Sequence, residues 1–120
     1  MSYAKFDLTR NKILSLVALG AFAIGCSSTS IAGDDEYKLL ILDHRFQPAE
    51  LTIPAGKKIK LIVENRDATP EEFESHDLNR EKVIAGKSTV TIFIGPLAAG
   101  QYRYFGEFNE KTAKGVIVVQ

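Results

Sequence analysis

Sulfur is almost missing from this 120-residue chain: Cys26 is its single cysteine. No disulfide can close within the chain, and no thiolate metal site can form in anything downstream of that residue. Charge of one sign is missing too. Fifteen Lys and Arg stand against fifteen Asp and Glu, a formal net charge of +0, whereas a nucleic-acid surface needs a concentrated basic face. Long apolar runs are equally scarce. The one candidate, Ile13 to Ile24, is too short to span about 30 Å of hydrocarbon, which takes roughly 20 residues. No serine or cysteine is paired by spacing with a histidine and an acid, which argues against a hydrolase, and so short a chain offers little cleft for a glycosidase.

What is present begins with an export pattern. Lys5, Arg10 and Lys12 precede the apolar run, and small residues follow it, the order of a secretory signal. Two endings fit. Ser30-Ile31-Ala32 offers an ordinary small-x-small cleavage site, while Gly25-Cys26 after Ala23-Ile24 resembles a lipoprotein processing box with Cys26 as the lipidated residue. Either way 1–32 is signal plus linker, 33–120 is the domain, and the membrane is reached only through the signal or a lipid on Cys26.

The domain reads as short strands. Tyr37 to Leu42 is the first, His44 to Pro48 turns a corner with Phe46 able to plug the core, and Leu51 to Pro54 alternates. Lys58 to Glu64 sets Ile59, Leu61 and Val63 against charged neighbours, the period-two signature of a half-buried strand. Glu71 to Ser75, Glu81 to Ala85, Ser88 to Ile94, Gln101 to Phe105 and Val116 to Val119 complete the set, with one helical turn allowed over Asn109 to Ala113. Seven or eight strands with punctuated turns and no convincing helix predict an all-β, antiparallel Greek-key sandwich.

Two runs together resemble the cupredoxins. One is His44-Arg45-Phe46-Gln47-Pro48 with Leu51-Thr52-Ile53-Pro54-Ala55-Gly56; the other is Gly100-Gln101-Tyr102-Arg103-Tyr104-Phe105 with Gly115-Val116-Ile117-Val118-Val119. That resemblance implies a cupredoxin-like fold over 37–119. It also implies where type 1 copper ligands would fall: Glu71 for the first histidine, Gly106 for the cysteine, Asn109 for the second histidine and Ala113 for the methionine. All four differ, so an ordinary blue copper centre is excluded. The runs Thr69-Pro70-Glu71-Glu72-Phe73-Glu74-Ser75, Gly95-Pro96-Leu97 and Phe105-Gly106-Glu107-Phe108 are similar to a narrower branch, the cupredoxin-like proteins of bacterial iron-uptake systems. This second resemblance implies a periplasmic metal-binding accessory protein working with an iron permease or other uptake components, carrying iron and/or copper, with delivery or help in ferrous oxidation as its role. Branch members commonly have a histidine where this chain has Asn109.

The candidate ligands are the carboxylates Glu107, Glu71, Glu72, Glu74 and Glu81 and the imidazoles His76 and His44. Oxygen-rich sites with one imidazole suit iron, manganese or weakly held copper. Converging glutamates repel and raise one another's pKa values unless a cation intervenes. On an extended Glu71 to His76, residues 71, 73 and 75 share one face and 72, 74 and 76 the other. If Phe73 packs inward, Glu71 is separated from Glu72 and Glu74. The competing expectation is a metal-free interaction module that docks a transporter or periplasmic partner.

Overall fold

The computed structural model describes residues 35–120; the signal and Cys26 lie outside them. Nine strands follow one another: β1 (Asp35–Leu42), β2 (Arg45–Gln47), β3 (Glu50–Ile53), β4 (Ile59–Asn65), β5 (Glu71–Ser75), β6 (Arg80–Ile84), β7 (Thr89–Ile94), β8 (Gly100–Gly106) and β9 (Lys114–Val119). A 3-10 turn over Glu107–Asn109 separates the last two. It begins two residues before the helical turn expected at Asn109. Among the described residues no helix is long and apolar enough to cross a membrane.

The strands form two sheets, ordered β2-β1-β4-β7 and β3-β9-β8-β5-β6. The all-β sandwich matches the expectation, but the pairing is mixed rather than wholly antiparallel. β1 lies parallel to β4, and β3 lies parallel to β9. The cause is the corner after Gln47. The chain leaves the first sheet there, runs β3 along the edge of the second, then returns as β4, and such a crossover is what a parallel neighbour requires.

Alternation sorts the core as the sequence indicates. Ile59, Leu61 and Val63 of β4, Ile92 and Ile94 of β7, and Leu39 and Ile41 of β1 are buried from one sheet; Phe73, Ile84, Tyr104, Ile117 and Val119 meet them from the other. Phe46 is the plug, its ring edge-on to Tyr104 at 4.9 Å and to Phe73 at 6.1 Å. Phe73 and Tyr104 stack at 5.0 Å, an arrangement that adds to simple area burial.

Two buried polar side chains hold the loops around β5. Asn65 Nδ2 donates to the carbonyls of Thr69 and Ile84 at 2.9 and 3.1 Å, and its Oδ1 accepts from Asp67 N at 3.0 Å. Ser75 Oγ donates to Arg103 O at 2.6 Å and accepts from Leu78 N at 3.1 Å. The entry to β5 and the β5–β6 turn are thereby fixed, because leaving such groups unpaired inside the protein is costly.

Candidate metal centre

β5 is buried on both faces, and its two faces carry different chemistry. Glu71, Phe73 and Ser75 point into the sandwich and Glu72 and Glu74 point out of it, with only Glu74 partly exposed. The two sets of carboxylates therefore cannot share one ion.

Glu71 belongs to the inner set and is 1 % exposed. Its Oε1 accepts from the backbone N–H groups of Glu72 and Phe108, both at 2.9 Å, and its Oε2 accepts from Asn109 Nδ2 at 2.6 Å. The residue expected as a ligand is instead a clasp: it holds the 3-10 turn against β5. Gly106 makes the clasp possible. A Cβ there would lie 2.6 Å from Glu71 Cδ and 2.7 Å from Ala113 Cβ, so any larger residue would push the carboxylate away.

By fixing the turn, Glu71 sets Glu107 over the outer face. Glu72, Glu74 and Glu107 each bring a carboxylate oxygen within 4.8 Å of the others. Oxygens bound to one ion at roughly 2.0–2.3 Å can be no more than about twice that apart, so a small inward shift of three side chains would complete a site. Glu74 Oε2 is buried and, among the described residues, has no hydrogen-bond partner. An orphaned anionic oxygen is expensive unless a proton or cation meets it. Glu81 pairs directly with Glu74 across the strands. The Glu72 carboxyl is raised to about 7, first by its hydrogen bond with Glu81, then by burial, then by the charges of Glu107, Glu81 and Glu74. These are carboxylates packed too closely to remain all ionised without compensation.

The two histidines part company. His76 borders the cluster, its Nδ1 3.6 Å from Glu74 Oε1, with a side chain 80 % exposed and its ring 5.7 Å from that of Phe105. His44 does not join. It sits in the left-handed region at φ 56° in the β1–β2 turn, and its N–H, with that of Asp43, donates to the Asp67 carboxylate at 2.9 and 2.8 Å. Those bonds, the one from His44 foremost, hold Asp67 below the usual carboxylate range. The imidazole of His44 faces Asp67 at 3.6 Å. Of the seven expected ligands, three converge, Glu81 and His76 adjoin them, and Glu71 and His44 do other work. Asn65, Ser75 and Asn109 hold the site in place, and the sequence gives no sign of it, because an isolated Asn or Ser looks the same whether it is exposed or holding a loop from inside.

The model of the cupredoxin-like domain family matches residues 15–119. The chain belongs to that family. It is 42 % identical over 115 residues to the uncharacterized protein RP394 of Rickettsia prowazekii (strain Madrid E), covering 90 % of this chain and 92 % of the relative. Among solved structures, auracyanin A, a blue copper protein of Chloroflexus aurantiacus, superposes with a TM-score of 0.63 at 17 % identity over 73 % of this chain and all of that one. A purple cupredoxin of Nitrosopumilus maritimus gives 0.54 at 18 % identity, over 69 % of this chain and 98 % of the other. At such identities the likeness concerns the fold.

Membership of the cupredoxin-like family raises type 1 copper, and the residues present do not fit it. Gly106 lies against both Glu71 and Ala113, and Asn109 is hydrogen-bonded to Glu71, so the four matched positions do gather around Gly106. They contribute no sulfur and no imidazole there, and the volume is filled by the Glu71–Asn109 clasp. The metal-competent groups of this cupredoxin-like domain lie one face away.

Proposed function

We propose that this protein is a metal-binding accessory protein of periplasmic iron uptake, which holds iron as cargo at Glu72, Glu74 and Glu107 and passes it to a membrane permease. The observation that carries the reading is the convergence of three carboxylates, one of which, Glu74, has a buried oxygen with no hydrogen-bond partner among the described residues. Hard oxygen donors favour iron or manganese over copper(I) and zinc, which prefer softer ligands, and anionic oxygens hold the ferric state best. Glu81 and His76 stand close enough to complete or adjust the shell. Copper is the weaker candidate here, since the cluster contains no sulfur and its one imidazole is at the rim.

The experiment is anaerobic titration of the protein with Fe(II), and with Mn(II) as a redox-silent stand-in. One saturable site is expected. Its affinity should fall about ten-fold or more in each of Glu72→Gln, Glu74→Gln and Glu107→Gln, the scale of one lost charged contact. Absence of saturable binding removes the reading. In that event the alternative gains ground, a metal-free module that docks a transporter through the same end of the sandwich, where Phe108 and Val83 are exposed by 50 % and 52 %.

A further inference from the structure

The outer face of the β6-β5-β8-β9 sheet carries a second charged group beside the carboxylates. Register places Glu81 opposite Glu74, Glu74 opposite Phe105, and Phe105 opposite Lys114. These four residues form one row, and paired positions on neighbouring strands point to the same face. Acid, acid, aromatic, base is the order along it. Strands lie about 4.8 Å apart, so the backbone of Lys114 is about 10 Å from that of Glu74. Arg103, two residues before Phe105 and on the same face, and Lys111, from the loop before β9, join Lys114 around an open cavity of about 500 Å³ that Phe105 also lines. That volume is in the range of small-molecule sites. Three cations face it against one carboxylate, Glu110. Among the described residues no ion pair involves Arg103, Lys111 or Lys114.

We propose that this basic cavity binds the free carboxylate of a small polycarboxylate chelator, so that the cargo metal is handled as an anionic chelate spanning the Phe105 strip. The proposal rests on the metal reading above and names the form of the cargo. Three glutamates fill three positions of an octahedral ion and leave the others open, and a chelator bound there has its remaining carboxylate within reach of the cations one and two strands away. Charge also couples the two halves. Without metal, the glutamate cluster repels an approaching anion; with metal bound, that repulsion is cancelled and the cations act unopposed. A polycarboxylate should therefore bind the loaded protein better than the metal-free one, and by linkage it should tighten the metal.

The probes are Mn(II) and citrate, followed by calorimetry at ~0.15 M salt, where charges further apart than about 8 Å are largely screened. Citrate is expected to form a ternary complex with the Mn(II)-loaded protein, binding about ten-fold or more tighter than to the metal-free protein. The double variant Arg103→Gln/Lys114→Gln should lose about ten-fold or more of that citrate affinity, the scale of one charge-assisted hydrogen bond, while its Mn(II) affinity without citrate stays unchanged. Equal citrate binding by wild type and variant overturns the proposal, as does citrate stripping Mn(II) from both alike. Failure of wild type to take up Mn(II) at all is a separate result and overturns the carboxylate site itself, with the chelate reading that depends on it.

Discussion

Replacing Glu71 distinguishes a buried clasp from a metal ligand. The side chain is 1 % exposed and accepts three hydrogen bonds, from two backbone N–H groups and from Asn109. Glu71→Gln keeps the shape but turns one acceptor oxygen into a donor that faces donors. At least one bond is lost and one N–H is left unpaired, a cost of about 1–3 kcal/mol. Glu71→Ala removes all three acceptors and leaves a void, for about 3–5 kcal/mol, a large share of the roughly 5–15 kcal/mol that holds a small domain folded. Urea denaturation of the metal-free protein, followed by circular dichroism at neutral pH, reads both values from the midpoint and slope. Glu71→Gln should nevertheless bind Mn(II) at native stoichiometry, with affinity weakened only as far as Glu107 is loosened. A variant of unchanged stability that no longer binds metal would refute this account and restore Glu71 as a ligand.

Glu72→Gln should act in the opposite sense on the metal-free protein. With its carboxyl raised from 4.5 to about 7, Glu72 contributes stability that is fully present below pH 4.5 and is lost as pH rises through about 7. The variant should therefore melt above wild type at pH 8 and level with it near pH 4; a melting difference that does not change with pH would count against the crowded-carboxylate reading. In wild type, protons and metal compete for the same oxygens, so Mn(II) affinity should climb between pH 5 and 7 and flatten above about 8. Gly106→Ala should cost about 1–3 kcal/mol by overpacking against Glu71 and Ala113, seen as a lower urea midpoint; an unchanged midpoint would mean that the clasp has room to spare.

The sandwich was legible because burial imposes a period of two, and β1, β4 and β7 follow it almost residue by residue. The same rule separates Glu71 from Glu72 and Glu74 in the sequence alone, conditional on Phe73 turning inward, which it does. The parallel pairings were not legible, since local pattern carries no information about which strand a crossover returns to. Nor was the role of Glu71. A glutamate at a position matched to a ligand reads as a ligand until the neighbouring glycine is seen to leave it room inside. His44 misled for a related reason. Its turn conformation and its tie to Asp67 depend on a loop more than twenty residues downstream. The basic cavity combines residues of β8, β9 and the loop before β9, and no linear stretch displays it.

The clasp between Glu71 and Asn109 has a consequence for exchange. Because the turn bearing Glu107 is already anchored by protein–protein bonds, the end of the sandwich has no need of an ion to keep its form. Loading and unloading then cost little reorganisation. On the proposed reading, a carrier built this way can surrender its cargo to a stronger acceptor and remain ready for the next ion.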